Sequence, residues 1–358
     1  MQATPGDFDT DQLIGSSLPW ITANLPGIGG MTKDRAEDFQ VEEISAYSPE
    51  GAGDFLFLWV QKTGLSAEQL VSHLARSLKI AHQDVGTAGM KDRHAITRQM
   101  VSVPARCQTL VESFQHDQIE ILDVRRHRHK LRTGHLRGNR FSILVRNVKE
   151  GAWNLALATK AELERTGVPN FFGQQRFGRD QETLRLGLDL LRGTKQPGAI
   201  PRARRKFLLR LALSAVQSAL FNRALAERMD AGLVHQVLAG DVMQVVASGG
   251  PFVADDAARE QARFDAREIV ISGPMFGPKM KPPTGDAAIR EARLLESAAI
   301  PLAAFERFSN LTSGTRRPYL IWPGDLRLSA EPEGIRLEFS LPSGSYATVV
   351  LREFQKTE

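Results

Sequence analysis

The sequence contains a single cysteine, Cys107, among 358 residues. One thiol excludes an internal disulfide framework and any structural zinc site built from several cysteines. It also favours a reducing compartment, so we expect a cytoplasmic protein. The longest apolar run covers only residues 55–60, whereas a membrane span needs ~20, and the acidic first residues lack the hydrophobic core of a signal peptide. We therefore expect neither secretion nor membrane association.

The composition is that of an ordinary globular protein. Hydrophobic residues make up 42% and charged residues 24% of the chain, which excludes a disordered or collagen-like class. The length exceeds the ~250–300 residues at which a single hydrophobic core stops growing. We therefore predict two domains.

Positive charge is concentrated rather than abundant. The 46 Lys and Arg exceed the 41 Asp and Glu by five, but basic residues cluster at 125–140, at 202–210 and at the pair Arg316 and Arg317. The first stretch, RRHRHKLRTGHLRGNR, contains no acidic residue. Each cluster alone is compatible with a solvated face, whereas the three together favour binding of a nucleic acid. The residues that we assign to RNA binding are Arg125, Arg126, Arg128, Lys130, Arg137, Arg140, Arg202, Arg204, Arg205 and Lys206.

The first part of the chain has a mixed α and β pattern. Ser66 and Gln69 form a capping box, which predicts a helix that ends near Lys79. The loop GTAGMKDRHA, residues 86–95, separates this helix from a strand, a place where scaffolds display functional side chains. The strands predicted from alternating or continuous apolar residues are 39–44, 54–62, 99–103, 118–124 and 141–147.

After Gly151 the apolar residues take helical spacing. The predicted helices are 155–165, 185–191, 207–228 and 286–298. From Ile335 the sequence returns to strands, with residues 341–345 as the turn between two of them. Strand-rich ends around a helix-rich middle predict an α+β fold with an inserted domain. The predicted boundaries are 1–154 and 306–358 for the interrupted domain and 155–305 for the insertion.

Asp92 is a candidate catalytic residue. It lies in the loop between Lys91 and Arg93, and two neighbouring cations favour the ionised carboxylate, which can act as a nucleophile or a base. The alternative is a loop aspartate that accepts hydrogen bonds from nearby backbone groups. Spacing alone does not decide between the two.

Five segments of the sequence resemble motifs of one enzyme family. GMKDRHAITRQ, residues 89–99, is similar to the signature G-x-K-D-x-x-A-x-T-x-Q of the TruD family of tRNA pseudouridine synthases. The other matching segments are EDFQVEEI (37–44), RGNRFSILVRN (137–147), NFFGQQRFG (170–178) and FSLPSGSYAT (339–348). The matches follow the order of the family and span residues 33–352.

The resemblance implies a function and a fold. The implied reaction is isomerisation of uridine to pseudouridine at position 13 in the D arm of tRNA, with tRNA-Glu as the expected substrate. Such an isomerase, an intramolecular transferase, uses no metal or other cofactor and needs no protein partner, so we expect a monomer that binds tRNA. The implied fold is a pseudouridine synthase catalytic domain with a mixed, largely antiparallel sheet, interrupted by a mainly helical TruD-specific inserted domain.

The resemblance also implies roles for individual residues. Asp92 matches the catalytic aspartate, and Lys33 matches the basic residue that pairs with it. Whether Asp92 attacks the sugar, attacks the base or removes a ribose proton is left open. The residues implied for the uridine pocket are Phe39, Asn139, Phe141 and Phe339. Considered alone, Phe39 is better explained as a core residue, and stacking on a base is the role that the motif implies.

Three other patterns admit two interpretations each. The histidines of residues 125–140 could bind a metal, but the surrounding arginines favour phosphate contact. GIGGMTK, residues 27–33, is similar to a phosphate-binding loop but lacks its full pattern, so we predict a turn. Residues 170–178 are compatible with an inter-domain corner and with an RNA contact.

Two rival functions belong to other classes. A noncatalytic RNA-binding protein would gain nothing from a carboxylate such as Asp92 facing phosphates, which repel it. A hydrolase or nuclease would need an acidic cluster or a set of metal ligands, and the sequence offers neither.

Overall fold

A computed structural model describes residues 18–357 of the chain, Arg179 by its backbone alone. These residues divide into two units. The sheet unit comprises residues 24–165 and 322–357, and the inserted unit comprises residues 18–23 and 166–321. The boundaries predicted from the sequence, 154/155 and 305/306, lie 11 and 16 residues before the divisions at 165/166 and 321/322.

The described chain contains both strands and helices. The strands, in chain order, are β1 Gly29–Met31, β2 Phe39–Ser45, β3 Phe55–Thr63, β4 Gly86–Thr87, β5 Ile96–Pro104, β6 Ile119–His127, β7 Leu136–Val148, β8 Val168–Pro169, β9 Val242–Val245, β10 Pro251–Val253, β11 Ile269–Met275, β12 Thr315–Pro318, β13 Leu320–Ile321, β14 Gly324–Glu331 and β15 Gly334–Pro342. The α-helices are α1 Ala67–Ser77, α2 Gln108–Glu112, α3 Ala152–Thr166, α4 Glu182–Arg192, α5 Arg202–Asp230, α6 Ala257–Asp265, α7 Gly285–Ser297 and α8 Ala347–Gln355.

One sheet organises the sheet unit. Among the described residues it has nine strands, in the main order β14–β15–β7–β2–β5–β3–β6, with β1 paired to β7 and β4 paired to β5. The pair β2–β5 is parallel, and the other pairs are antiparallel. The mixed, largely antiparallel sheet expected from the resemblance is therefore confirmed.

Helix α1 covers one side of β3 and β5. Its capping box is present, because the backbone N–H of Gln69 donates to Ser66 Oγ at 3.1 Å and the backbone N–H of Ser66 donates to Gln69 Oε1 at 2.9 Å. Leu70 and Leu74 point from this helix into a core that includes Val60 of β3. The i, i+4 spacing of the two leucines explains why the helix forms one apolar stripe.

The register aligns residues from five strands on one face of the sheet. Lys62 of β3 is opposite Thr97 of β5, and Thr97 is opposite Val41 of β2. Val41 is in turn opposite Phe141 of β7, which is opposite Phe339 of β15. Because side chains alternate along a strand, residues two positions away share this face.

The inserted unit is built around α5, a helix of 29 residues. This helix packs against α4, α7 and β11, and four strands form a sheet in the order β10–β9–β11–β12. Residues 170–178 belong to this packing, since Phe172 exchanges two hydrogen bonds with the side chain of Asn222, at 2.8 and 2.9 Å. No helix in the described part of the chain is long and apolar enough to span a membrane.

The strand predicted after the turn at 341–345 is wrong. The residues after this turn form helix α8, in which Ala347, Val350 and Phe354 are buried at helical spacing. β15 instead pairs with β14 and β7, so no downstream strand is needed to complete it.

The third basic cluster is not a surface for a polyanion, contrary to the prediction. Arg316 is 6% exposed, and its guanidinium pairs with Glu291 at 2.5 Å. Arg317 donates to Asn170 Oδ1 at 2.6 Å and lies 4.1 Å from the ring centroid of Phe172. Both arginines therefore serve the packing of the inserted unit.

Candidate active site

Lys33 and Asp92 form an ion pair in the sheet unit. Nζ of Lys33 lies 3.5 Å from Oδ2 of Asp92, and the two side chains are 32% and 43% exposed. An ion pair this exposed contributes only ~0–1 kcal/mol to stability, because water screens it. The pairing implied by the resemblance is thus present, while the catalytic roles of the two residues stay predictions.

The backbone of Lys33 is strained. Its φ angle is +63°, and the left-handed region costs a residue with a Cβ about 1–2 kcal/mol. The chain just after Lys33 is held by Asp38, whose carboxylate accepts from the backbone N–H of Arg35 at 2.8 Å and from Arg146 at 2.8 and 2.7 Å. The hydrogen bonds from Arg146 hold the pKa of Asp38 below its usual value, so this anchor stays ionised at neutral pH.

The loop that carries Asp92 is attached to two strands. Nζ of the preceding residue, Lys91, lies 2.8 Å from Oε2 of Glu43 on β2, and both side chains are buried. Nζ of Lys62, at the end of β3, donates to the main-chain carbonyl of Asp92 at 2.7 Å. A side chain on a loop is thereby positioned by groups on the sheet.

Lys33 contacts Phe39, the first of three phenylalanines whose rings contact one another in turn. Nζ of Lys33 is 4.2 Å from the ring centroid of Phe39. The ring of Phe141 is 6.4 Å from that of Phe39 and 5.4 Å from that of Phe339, centroid to centroid. All three rings are buried, which supports the core interpretation of Phe39, and contact with a base stays a prediction.

Polar atoms without partners lie on the same face of the sheet. Asn139 is two residues from Phe141, and its register partner on β2 is Glu43. The buried atoms that find no hydrogen-bond partner among residues 18–357 include Glu43 Oε1, Thr97 Oγ1, Gln99 Nε2, Gln99 Oε1 and Asn139 Oδ1. Such atoms are uncommon in native proteins. They share the sheet face of Phe39, Phe141 and Phe339, which makes this face a candidate binding surface for a polar ligand.

The basic stretch 125–140 is partly neutralised by acidic residues from elsewhere in the chain. The ion pairs are Arg125–Asp123, Arg128–Glu50 and Arg140–Glu42, at 2.8, 3.0 and 3.1 Å. Arg126 donates to the side chain of Gln108 at 2.8 Å, and Lys130 donates to the carbonyl of Gln83. Arg137 is exposed and has no carboxylate partner in the described part of the chain.

The same stretch passes beside the loop that carries Asp92. The backbone N–H of Gly134 donates to the carbonyl of Ala88 at 2.8 Å, four residues before Asp92. His127 and His135 are in ring contact with Tyr47, and within residues 18–357 no group of three or more His, Cys, Asp or Glu side chains is arranged to hold a metal ion. The stretch therefore brings cations and aromatic rings close to Asp92.

The second basic cluster begins α5 in the inserted unit. Arg202, Arg204 and Lys206 are exposed, whereas Arg205 donates to the carbonyls of Ile200 and Gly198. Cations are unfavourable at a helix N-terminus, where the helix dipole is positive. The exposed residues of this cluster are thus available to an anion.

The comparison with known proteins decides the family. The family model described as tRNA pseudouridine synthase D (TruD) matches residues 17–201 and 194–354. The chain belongs to the TruD family. Its relatives include a tRNA pseudouridine synthase D of Anaeromyxobacter dehalogenans strain 2CP-1, which is 43% identical over 345 residues, 96% of this chain and 97% of the relative.

Two further comparisons agree with membership of the TruD family. A tRNA pseudouridine synthase D of Thermus thermophilus is 37% identical over 343 residues, 95% of this chain and 92% of the relative. A crystal structure from Methanosarcina mazei, described as tRNA pseudouridine synthase D (TruD), matches with a TM-score of 0.77 at 25% identity and covers 97% of this chain and 98% of its own. The pseudouridine synthase fold expected from the sequence is therefore confirmed.

Sequence reasoning missed several residues of the site. Glu43, Thr97 and Gln99 lie inside the TruD motifs, but no role was predicted for them. The sequence pattern that could have identified them is a polar residue at a strand position whose side chain, by alternation, faces inward. Lys62 shows the same pattern near the end of β3 and was not recognised either.

Proposed function

We propose that the protein isomerises uridine to pseudouridine in tRNA, at position 13 of the D arm, with tRNA-Glu among its substrates. Membership of the TruD family supports the reaction class. The observation that carries the proposal is the Lys33–Asp92 pair, 3.5 Å apart, next to a sheet face with unpartnered polar atoms and buried aromatic rings.

The reaction needs an ionised carboxylate and no added atoms. The N1–C1′ glycosidic bond breaks and a C5–C1′ bond forms, while C5 loses a proton and N1 gains one. Asp92 acts as the nucleophile or the base, and Lys33 balances its charge. No cofactor is consumed in this balance.

The base must leave its stack and be held while it rotates. Extrusion of a nucleotide costs a few kcal/mol. Binding of the base in the pocket must therefore contribute a favourable free energy of similar size. The amide of Gln99 and Oδ1 of Asn139 offer donors and an acceptor, which match the carbonyls and N3–H of uracil. Phe39, Phe141 and Phe339 supply an apolar wall for the ring.

The body of the tRNA contacts the exposed cations. Arg137 and its neighbours in residues 125–140 lie near the loop of Asp92 through the Gly134–Ala88 hydrogen bond. The start of α5, with Arg202 and Arg204, offers a second basic patch. A bound phosphate would offset the unfavourable interaction of these cations with the helix dipole. The single buried cysteine supports a cytoplasmic location, and we propose a monomer that acts without a protein partner.

Deletion and complementation test this function. Cells that lack the gene should lose pseudouridine at position 13 of tRNA-Glu, and the parent gene should restore it. The variant Asp92→Asn, which keeps size but loses charge, should not restore it, although its affinity for tRNA should equal or exceed that of the parent. Loss of pseudouridine at another position would overturn the assignment of position 13, and turnover by Asp92→Asn above a few per cent of the parent would overturn the role of Asp92.

A further inference from the structure

Lys62 is a buried lysine whose ammonium contacts the main chain of Asp92. Its relative exposure is 0%. Nζ donates to the carbonyl of Asp92 at 2.7 Å and to the carbonyl of Leu65 at 2.7 Å. The residues opposite it on the neighbouring strands are Thr97 of β5 and Ile119 of β6, so no acidic side chain faces it across the sheet.

Packing alone does not account for a charge in this position. Burial of an ammonium costs several kcal/mol unless hydrogen bonds and opposite charge compensate it. Burial lowers the pKa of Lys62 to about 8; the carboxylate of Asp92 acts in the opposite direction, and the positive charge of Lys91 acts in the same direction as burial. A methionine would fill similar space without that cost, so the ammonium has a role other than filling the core.

The geometry assigns that role to the loop of Asp92. Lys91 is fixed to β2 by Glu43, and the carbonyl of Asp92 is fixed to β3 by Lys62. The two buried lysines thus hold the residue before Asp92 through its side chain and Asp92 itself through its main-chain carbonyl. Since misplacement of a reacting group by ~1 Å can cost ~100-fold in rate, such restraint affects turnover directly.

We propose that Lys62 is a positioning residue, which holds the main chain of Asp92 so that the carboxylate meets Lys33 and the target nucleotide. This rests on the proposed catalytic role of Asp92. Lys62 does not touch the reacting atoms in this scheme, so it acts on turnover and leaves tRNA affinity unchanged.

The test compares Lys62→Met with the parent in single-turnover reactions at saturating tRNA. We expect the rate to fall about 10- to 100-fold, the dissociation constant for tRNA to stay within about threefold, and the variant to remain folded by circular dichroism. Arg192→Met is the matched control, since Arg192 also donates to a main-chain carbonyl, that of Ala298, in the inserted unit. The control should keep the parental rate.

Chemical rescue separates positioning from general folding. Lys62→Ala leaves space for a small amine, and added methylammonium should restore part of the rate in a saturable way while tetramethylammonium, which cannot donate a hydrogen bond, should not. A rate for Lys62→Met within twofold of the parent, or equal rescue by both cations, overturns the proposal. If Lys62→Met is fully active while Asp92→Asn is inactive, only the role of Lys62 fails. Activity of Asp92→Asn overturns the role of Asp92, on which this proposal rests. The proposed function fails only if cells that lack the gene keep pseudouridine in tRNA.

Discussion

Lys33, in the left-handed region at φ +63°, brings its ammonium to 3.5 Å from the carboxylate of Asp92. The exposed ion pair returns less energy than the backbone conformation costs. Strain that is not recovered locally is typical of functional sites, where surrounding structure imposes it. Here the surrounding structure is the carboxylate of Asp38, which is tied to both Arg35 and Arg146.

Relief of the backbone strain at Lys33 should raise the stability of the protein and lower its activity. Lys33→Gly can adopt φ +63° without a Cβ clash, so we expect the free energy of unfolding to rise by up to about 1 kcal/mol in urea titrations. Turnover should fall, because Asp92 loses its cation. Lys33→Met retains the strain and loses the cation, so it should lose turnover without gaining stability. Equal unfolding free energies of Lys33→Gly and Lys33→Met would show that the backbone at residue 33 is not strained.

Phe339 should contribute to capture of the base as well as to the core. Phe339→Ala removes a ring that is 1% exposed and should cost about 3–5 kcal/mol of unfolding free energy, so Phe339→Leu is the variant for kinetics. We expect Phe339→Leu to lower the single-turnover rate at subsaturating tRNA. Phe354→Leu, at a buried position on α8, is the control for a cavity alone, and an identical effect of the two variants would leave Phe339 as a core residue only.

The salt dependence of tRNA binding should identify which arginines contact phosphate. Each phosphate contact that is removed lowers the slope of log Kd against log salt by roughly 0.7–0.9. Arg137→Ala should lower the slope by that amount, since Arg137 is exposed. Arg125→Ala should lower it less, because Arg125 already pairs with Asp123. Titrations at several salt concentrations measure both slopes, and a flat response of the parent would contradict electrostatic binding.

Stability should depend on pH through Lys62. Its pKa is about 8 in the folded protein and ~10.4 in an unfolded chain, so between these values the unfolded state binds more protons. The free energy of unfolding therefore gains up to ~1.4 kcal/mol per pH unit from this group as pH rises from about 8 towards ~10.4. Relative to Lys62→Met, the parent should be more stable near pH ~9.5 than near pH ~7.5. Urea denaturation at several pH values measures both proteins. If the unfolding free energies of the parent and of Lys62→Met change with pH in parallel, burial does not shift the pKa of Lys62.

The sequence was sufficient to predict a strand or helix where the local residue pattern and the burial of the element agree. β2 alternates inward and outward residues and was predicted within one residue, and the capping box of Ser66 and Gln69 located the start of α1. The C-terminal helix was missed because β-branched Val349 and Val350 favour a strand locally, and burial of the helix face overrides that preference.

The site depended on information that periodicity does not contain. Lys33 and Asp92 come from separate loops, so only the family resemblance could pair them. Charge runs do not reveal burial, which is why Arg316 was assigned to a surface. Lys62 lies near the end of β3, after an apolar stretch at residues 55–60. A charge near a strand end looks solvated until the neighbouring loop is placed over it.

The route of the chain has a consequence for synthesis. β7 pairs with β15 through nine register positions, from Gly334 opposite Arg146 to Pro342 opposite Gly138, yet the 156 residues of 166–321 are translated between them. At ~5–20 residues per second the ribosome needs about 8–30 s for that segment. During this interval the nascent sheet exposes the unpaired edge of β7, and exposed edges recruit strands from other chains. Slow translation of this segment should therefore lower soluble yield more than slow translation after Pro342.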